Sequence, residues 1–256
     1  MFKTTEITAY ELESDKIMNQ RFFSGYEQAA KHVKGKMLEI GCGVGKGLEL
    51  FPDKIDHYTA VDKNTKLINF LQKRFPAYNF IDKFIPPLEG LEDNTFDTVV
   101  TLQVIEHIED DNLFLREIHR VLKKGGKAVI ATPNLNMSLT RNPWHVREYT
   151  PKTMVEIMEK HFSKVKIYGL HGNEKIMAYY EENKKSVANI TRFDILNLQY
   201  RLPRQFLQVP YDILNRVNRN YLHKKNKGMM EEIKLTDFYV NDDLENCFDF
   251  ICVVEK

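Results

Sequence analysis

The feature that most constrains this chain is a turn with four alternating glycines. Residues 37–48 read MLEIGCGVGKGL, so an apolar run leads directly into glycines 41, 43, 45 and 47. Such a turn after a strand usually brings backbone close to a nucleotide, where a Cβ would collide with the ligand. The spacing does not match a P-loop, and the third glycine of a dinucleotide fingerprint is replaced by Lys46. What remains is Glu39 followed by G-x-G-x-G.

Around this turn, short strand-like runs alternate with helical runs, which predicts a mostly parallel sheet covered by helices on both faces. Seven strands are predicted, at 36–41, 57–62, 78–84, 96–102, 127–132, 163–170 and 248–254. Helices are predicted at 21–32, 46–51, 65–75, 112–122 and 151–161, the fourth with KKGG as its C-terminal cap.

Composition narrows the class of protein. The 256 residues are 43% apolar and 29% charged, which suits one core with an elaboration. No stretch approaches the roughly 18 apolar residues that a spanning helix needs. The polar N-terminal stretch, 1–16, resembles neither a secretory signal nor a transit peptide, and three cysteines without metal or disulfide spacing suit reduced thiols. We therefore expect a cytoplasmic protein, with peripheral membrane contact left open.

Residues 172–245 do not follow the alternation. Apolar residues recur there every three to four positions between 195 and 221, interrupted by Pro203 and Pro210, which predicts broken amphipathic helices. Between 184 and 227 ten basic residues face only Asp194 and Asp212, a net charge of +8. We interpret this segment as a basic helical insertion before the last strand, forming a cap or an acceptor-binding element.

Four ordered blocks carry a family resemblance: LEIGCGVG, then AVDKN at 60–64, NTFDTVVTLQVIEHIED at 94–110 and REIHRVLKKGGKAVIATPN at 116–134. Together they resemble the class I S-adenosylmethionine-dependent methyltransferases, over about 22–162 and again at 247–256. The resemblance implies a Rossmann-like α/β fold, with residues 1–171 and 246–256 forming the domain that binds the cofactor, S-adenosyl-L-methionine.

The resemblance also implies roles for individual residues. The glycine turn would lie against the adenosine and methionine parts of the cofactor, Asp62 would accept from both ribose hydroxyls, and Glu39 would bind loop amides or the cofactor ammonium. The usual acid after the third strand is missing, so apolar walls would hold the adenine. The predicted cofactor-binding residues are Glu39, Gly41, Gly43, Gly45, Asp62, Lys63, Phe84, Ile85 and Gln103, with Phe22, Phe23 and Tyr26 on the preceding helix.

Candidate catalytic residues follow strands four and five, in QVIEHIED and NPWHVREYT. The pattern is similar to that of ubiquinone O-methyltransferases and small-RNA 2′-O-methyltransferases, in which a divalent ion polarises the acceptor oxygen. Carried over, the ligands would be Glu106, His107 and His145, with Glu148 orienting His145. Gln103 replaces the first acid of that motif and is a poor ligand for a hard ion such as Mg²⁺. Metal-free base catalysis by His107 or His145, and a purely structural role for both, remain alternatives.

The expected function is methyl transfer to a small-molecule or lipid-linked acceptor, at oxygen. An RNA methyltransferase and a catalytically silent module with the same fold are the alternatives. For the insertion, a solvated lid, an anionic membrane surface and a small anionic acceptor are all open. Nucleic acid is the least favoured partner, because the rest of the chain is net negative. The sequence predicts no oligomeric state.

Overall fold

The computed structural model describes residues 12–256. Residues 1–11, which belong to the predicted first domain and to the stretch analysed for targeting signals, lie outside the described residues. Eight strands are present in the described part: β1 (Gly35–Ile40), β2 (Ile55–Asp62), β3 (Asn79–Asp82), β4 (Phe96–Leu102), β5 (Leu122–Pro133), β6 (Lys164–Gly172), β7 (Phe238–Asn241) and β8 (Asp249–Glu255). The helices are α1 (Lys16–Ala30), α2 (Thr65–Arg74), α3 (Asp111–Val121), α4 (Pro151–His161), α5 (Glu174–Thr191), α6 (Leu198–Arg201), α7 (Arg204–Lys225) and α8 (Lys227–Glu232).

All eight strands form one sheet in the order β3-β2-β1-β4-β5-β8-β6-β7. Strands β1 to β5 are mutually parallel, whereas β8 is antiparallel to both β5 and β6. The predicted α/β class is confirmed, and the sheet has one strand more than the seven predicted. The additional strand, β7, pairs antiparallel with β6 inside the segment expected to be helical. Its four residues are too few to show a period in the sequence.

Two apolar clusters cover the two faces of the sheet. Met37 and Leu38 are neighbours on β1, yet one belongs to the cluster with α1 and α2 and the other to the cluster with α3 and α4. Successive side chains of a strand point to opposite faces, so this division follows from the continuous apolar composition of β1. Both faces are therefore packed, and a ligand has access mainly at the strand ends.

Helix α3 ends before the predicted cap. Its last residue is Val121, and β5 begins at Leu122, so KKGG lies within the strand and not at a helix terminus. Gly125 has a φ of +75°, which accounts for a glycine at this position. The start of α4 follows its sequence signals, because the Thr150 hydroxyl accepts from the Thr153 amide and Pro151 occupies the first turn.

Helices α5 to α8 occupy most of the predicted insertion, which is thus helical apart from the strand at its end. Pro203 precedes α7, but Pro210 lies within it and does not break it as expected. Pro210 is exposed, where a lost backbone hydrogen bond can be replaced by water. Among the described residues, none of the helices combines the length and the apolar character that crossing a membrane requires.

Candidate active site

The glycine turn follows β1, and its conformation requires glycine at three positions. Gly41, Gly43 and Gly45 have φ values of +79°, +51° and +82°. A Cβ would collide with Val104 at Gly41 and with Leu71 at Gly45, but at Gly43 it would meet nothing within 4 Å. The outer two glycines therefore permit close protein packing, and Gly43 faces open space where a ligand can lie against the backbone.

Asp62 lies beside this open space, at the end of β2. Its Oδ2 accepts from the Gly43 amide at 2.9 Å and its Oδ1 from the Asn64 amide at 2.8 Å. The carboxylate is half-buried, so both oxygens retain access to further donors. Lys63 is exposed next to it. The structure thus brings the acid and the turn together as the sequence predicts.

The predicted adenine walls follow β3. Phe84 is 77% exposed, whereas Ile85 is partly buried against the cluster that contains α3. They lie in the loop after Asp82, which pairs with Asp62 in the sheet register. An exposed aromatic ring at this edge can cover a flat ligand placed beside Asp62.

Glu39 has different partners from those predicted. Its buried carboxylate accepts from the Tyr26 hydroxyl at 2.8 Å and from the Tyr58 hydroxyl at 2.5 Å, and not from loop amides. The reason is strand alternation, because position 39 points to the face covered by α1. Burial raises the pKa of Glu39 to about 7, although the two tyrosine hydrogen bonds lower it. Tyr26 therefore lies behind the glycine turn, bound to Glu39.

Two other aromatic residues of α1 surround a lysine of the turn. Lys46 Nζ lies 5.2 Å from the ring centroids of both Phe22 and Phe23, and 3.3 Å from Asn19 Oδ1. Burial lowers the pKa of Lys46 to about 8. Phe22 also lines a small cavity with Arg21 and Gln103 at the strand ends. Of the three predicted residues on this helix, Phe22 is the one that lines this cavity.

Gln103, directly after β4, is held by a charged pair that sequence reasoning missed. Its Nε2 donates to Asp249 Oδ1 at 2.9 Å, and its backbone has a φ of +58°. Arg21 also binds Asp249, with one hydrogen bond to each carboxylate oxygen, both at 2.5 Å. The signal in the sequence was weak, namely a single arginine before two phenylalanines and a single aspartate at the head of an apolar strand.

The two candidate catalytic histidines meet edge to face. Their ring centroids are 5.0 Å apart at an interplanar angle of 85°. His107 Nδ1 lies 3.0 Å from the Trp144 carbonyl oxygen and donates to it, so the neutral ring carries its lone pair on Nε2. His145 Nδ1 lies 2.6 Å from Glu148 Oε1, and its Nε2 accepts from Asn142 at 2.8 Å.

Glu148 is fixed from its other side. Its Oε2 accepts from the Ser138 hydroxyl, and the side chain is largely buried. Burial would raise the pKa of Glu148, but the hydrogen bonds from His145 and Ser138 hold it below the ordinary value. The result is a charged carboxylate that orients the His145 ring and can stabilise an imidazolium.

Glu106 is buried beside the histidines. Its Oε2 accepts from Thr132 at 2.9 Å, while its Oε1 has no hydrogen-bond partner within the described part of the chain. Burial raises the pKa of Glu106 to about 7, with His145 acting in the opposite direction. Ligand atoms of Glu106, His107 and His145 lie within 4.8 Å of one another. Two nitrogen and one oxygen donors suit a transition metal better than Mg²⁺.

Binding an ion between Glu106, His107 and His145 would require at least one of these side chains to move. Donors about 2.1 Å from one ion are at most about 4.2 Å apart, so the upper bound of 4.8 Å on the distances within this group is slightly wider than an ion needs. Both ring nitrogens of His145 already have partners, so one of those hydrogen bonds would have to break. Gln103 is turned toward Asp249 and does not complete the set.

A cavity of about 180 Å³ adjoins His145 and Glu148. Arg141, Leu135 and Tyr200 of α6 are among the residues that line it. The insertion contacts the loop after β5 through several hydrogen bonds. Among them, Arg141 donates to the Gln199 carbonyl at 3.0 Å, and Trp144 Nε1 donates to Asp212 at 3.1 Å. Val104, whose carbonyl accepts from the His107 amide at 2.9 Å, packs against Gly41 of the turn. The cavity, the histidines and the glycine turn are therefore neighbouring parts of one region.

Comparison with known proteins identifies this region. Residues 38–130, from the glycine turn to β5, match the model of a methyltransferase domain family. This part of the chain is thus a methyltransferase domain. A probable S-adenosylmethionine-dependent methyltransferase of Mycolicibacterium smegmatis is 33% identical to this protein over 140 residues, covering 52% of this chain and 54% of the relative. A probable S-adenosylmethionine-dependent methyltransferase of Mycobacterium tuberculosis is 31% identical over 177 residues, covering 66% of this chain and 64% of the relative.

The match thus spans between half and two thirds of the length of these methyltransferases. Further relatives include both an O-methyltransferase and an N-methyltransferase. A ubiquinone biosynthesis O-methyltransferase of Pelagibacter ubique is 26% identical, and the match covers 62% of this chain and 74% of the relative. A phosphoethanolamine N-methyltransferase of Arabidopsis thaliana is 28% identical, and the match covers 51% of this chain and 28% of the relative. Among solved structures, a possible histamine N-methyltransferase of Thermotoga maritima aligns with a TM-score of 0.58 at 17% identity. It covers 94% of this chain and 92% of its own, which supports the fold.

Proposed function

We propose that this protein transfers a methyl group from S-adenosyl-L-methionine to an oxygen of a small-molecule or lipid-linked acceptor. The observation that carries the proposal is the His145–Glu148 pair, 2.6 Å apart, which lines a cavity of about 180 Å³. When bound, the cofactor supplies an electrophilic methyl group on a sulfonium. The chain has to hold the two reactants in line and accept one proton, and positioning alone contributes roughly 7–11 kcal/mol to such a step.

The cofactor half consists of the turn and Asp62. The backbone at Gly43 borders open space in which a ligand can lie. The Asp62 carboxylate beside it can accept from vicinal hydroxyls of a ribose. Phe84 covers the same edge. Glu39 supports this half indirectly, because its hydrogen bonds to Tyr26 and Tyr58 connect α1 and β2 to the end of β1, where the turn begins.

The acceptor half consists of the histidines and the cavity. As the new C–O bond forms and the sulfonium S–C bond breaks, the hydroxyl proton has to leave the acceptor oxygen. His107 or His145 can accept it on Nε2, since Nδ1 of each ring is held by Trp144 or Glu148. For His145 this requires that the acceptor hydroxyl displace Asn142. The Glu148 carboxylate then stabilises the positive ring.

A divalent ion on Glu106, His107 and His145 is the alternative way to activate the oxygen. The partnerless Glu106 Oε1 favours it, and the occupied nitrogens of His145 oppose it. An amine acceptor would need the same alignment and the loss of a proton, so the geometry permits nitrogen as well. Oxygen is preferred because a fixed base beside the acceptor matters most for a hydroxyl, whose proton is hard to remove.

The experiment is a transfer assay with isotope-labelled cofactor and a panel of acceptors in matched pairs. Each pair has the same skeleton and carries either a hydroxyl or an amine, with soluble and lipid-linked versions and total RNA included. We expect label in a hydroxyl compound. Label in the amine partner alone would contradict this proposal in favour of transfer to nitrogen, and label in RNA would contradict it in favour of an RNA methyltransferase. Cofactor binding without any transfer would support the catalytically silent module.

A further inference from the structure

The surface of the helical insertion is unusually apolar. Of the sixteen large hydrophobic residues that are exposed in the described chain, twelve fall between 193 and 221. Surfaces in contact with water rarely gather such residues in one short segment. We call the exposed members of this segment the apolar face; they are Phe193, Ile195, Leu196, Leu198, Tyr200, Leu202, Phe206, Val209, Ile213, Leu214, Val217 and Tyr221.

One part of the apolar face is the turn between α5 and α6. Phe193 and Ile195 are 73% and 86% exposed there, and Leu196 lies beside them. Asp194 interrupts the run in sequence, but its carboxylate accepts from the Leu198 amide at 2.7 Å and the Gln199 amide at 3.1 Å. The acid is thus occupied by backbone donors, while its apolar neighbours remain exposed to solvent.

The other part is a stripe along α7. Phe206, Val209, Ile213, Val217 and Tyr221 are spaced by three or four residues and so lie on one side of the helix. The opposite side is already packed, with Leu222 and Asn218 buried. The helix therefore has two separate surfaces, one facing the protein and one apolar surface that nothing in the described chain covers.

Charge separates the two surfaces as well. Arg216 and Arg219 both bind the buried Asp15 carboxylate at 3.0 Å, and Arg204 pairs with Glu109, so these charges are engaged within the protein. Three other cations have no ion pair to a described residue and are exposed at the borders of the apolar face: Arg192, Arg201 and Lys224. The accessible charge at this face is consequently positive.

We propose that the apolar face docks on an anionic membrane surface, with Arg192, Arg201 and Lys224 at the level of the lipid headgroups. Exposed aromatic and aliphatic residues bordered by cations are the composition of helices that lie in a membrane interface. A second copy of the chain fits this face less well, since a twofold interface would bring the positive borders together. The two acids between residues 193 and 221, Asp194 and Asp212, are already hydrogen-bonded within the protein.

Docking would also explain where the acceptor comes from. Tyr200 belongs both to the apolar face and to the lining of the cavity beside His145. A lipid-linked acceptor could therefore reach the cavity without leaving the membrane surface. This consequence rests on the proposed methyltransferase function, whereas the docking itself does not.

The test is sedimentation of the full chain with phosphatidylcholine vesicles, with and without phosphatidylglycerol. The double variant Ile195→Glu with Phe206→Glu should bind the anionic vesicles at least tenfold more weakly, because two inserted apolar side chains become charged. Phe70→Glu is the matched control, since Phe70 is 53% exposed on α2, away from the apolar face. Equal binding of the double variant and the wild type would overturn the proposal.

A second pair of variants tests the charges. Arg192→Gln with Arg201→Gln should lower binding about fivefold for each charge removed, and the loss should disappear at high salt. Lys66→Gln with Lys73→Gln removes the same charge from α2 and should have little effect. Sedimentation velocity without lipid must show a monomer; a dimer that the double glutamate variant dissociates would assign the face to self-association. Calorimetry with S-adenosyl-L-methionine separates failure of docking from failure of the proposed function, because docking variants should keep wild-type cofactor affinity.

Discussion

Arg21 and Asp249, 228 positions apart in the chain, form a two-pronged ion pair with both hydrogen bonds at 2.5 Å. The pair joins α1 to the first residue of β8, and the same carboxylate holds Gln103 after β4. Asp249 is almost fully buried, so these hydrogen bonds replace the ones it would make with water. The contact therefore links the helix before the sheet, the strand end beside the histidines and the last strand.

Asp249→Asn should lower the free energy of unfolding by about 3–5 kcal/mol, because it leaves the Arg21 charge without its buried partner. Urea unfolding followed by circular dichroism measures this difference. The control is Glu255→Gln on the same strand, which removes the exposed pair with Lys164 and should cost about 1 kcal/mol or less. Similar losses in both variants would mean that the Arg21 pair contributes no more than a surface contact.

Asp62→Ala should weaken the binding of S-adenosyl-L-methionine by about 2–4 kcal/mol, because the ribose hydroxyls lose their acceptor. Titration calorimetry measures the affinity, and circular dichroism checks that the fold persists. Asp56→Ala, at the exposed start of the same strand, should bind normally. Unchanged affinity in Asp62→Ala would place the ribose elsewhere.

The buried Glu39 predicts a pH dependence of stability. Its pKa is about 7 in the folded protein against an ordinary 4.5, so between these values the folded state binds more protons than the unfolded state. Stability therefore falls as pH rises through this window, by about 3 kcal/mol in total. Glu39→Gln should lack this loss. Its carbonyl oxygen can still accept from one tyrosine, while its amide group can donate to the hydroxyl oxygen of the other.

The measurement compares unfolding free energies at the two ends of that window, taken as the difference between variant and wild type at each pH. The advantage of Glu39→Gln should grow with rising pH. Glu92→Gln, at an exposed acid, is the control and should show the same pH profile as the wild type. If the two glutamine variants behave alike, the folded protein does not raise the pKa of Glu39.

His107→Ala, His145→Ala and Glu148→Gln should each lower kcat by roughly 10²-fold or more, with cofactor affinity almost intact, because these groups act on the acceptor. His57→Ala, on the exposed start of β2, is the matched control. Transfer assays on the acceptor found in the panel provide kcat, and calorimetry provides the affinity. A variant that loses cofactor binding in parallel would indicate a structural role for that residue.

Chelation distinguishes the base from the metal. If Glu106, His107 and His145 hold an ion, excess chelator should abolish turnover and one divalent metal should restore it. With a histidine base alone, turnover should be unaffected by chelator. The histidine variants lose activity in both cases, so this measurement has to accompany them.

The parts of the site that depend on strand ends could be predicted from the sequence. Gly43 and Asp62 follow the first two strands, and parallel strands bring their carboxyl ends to one edge, which is where the structure places both. His107, His145 and Glu148 come together for the same reason, since they follow β4 and β5.

Side-chain direction and distant contacts could not be predicted. The sequence predicts loop amides or the cofactor ammonium as partners of Glu39, because it does not reveal that Tyr26 and Tyr58 occupy the face to which Glu39 points. Asp249 and Arg21 carry no local pattern, because their pairing is a product of tertiary packing across the whole chain. The apolar face of α7 was visible as a period, but only the structure shows which side of the helix is packed.

The insertion has a topological consequence that is independent of its partner. Gly172 pairs with Phe238 at the junction of β6 and β7, so the chain leaves the sheet and returns to it at adjacent positions. Residues 173–237 are thus the connection of a single β-hairpin, however long. Such a connection can change in length or sequence at a small cost in loop entropy without shifting the register of any strand. Evolution or an engineer could therefore exchange the helices between Gly172 and Phe238 as one unit, while the sheet and the strand ends that carry the candidate site stay the same.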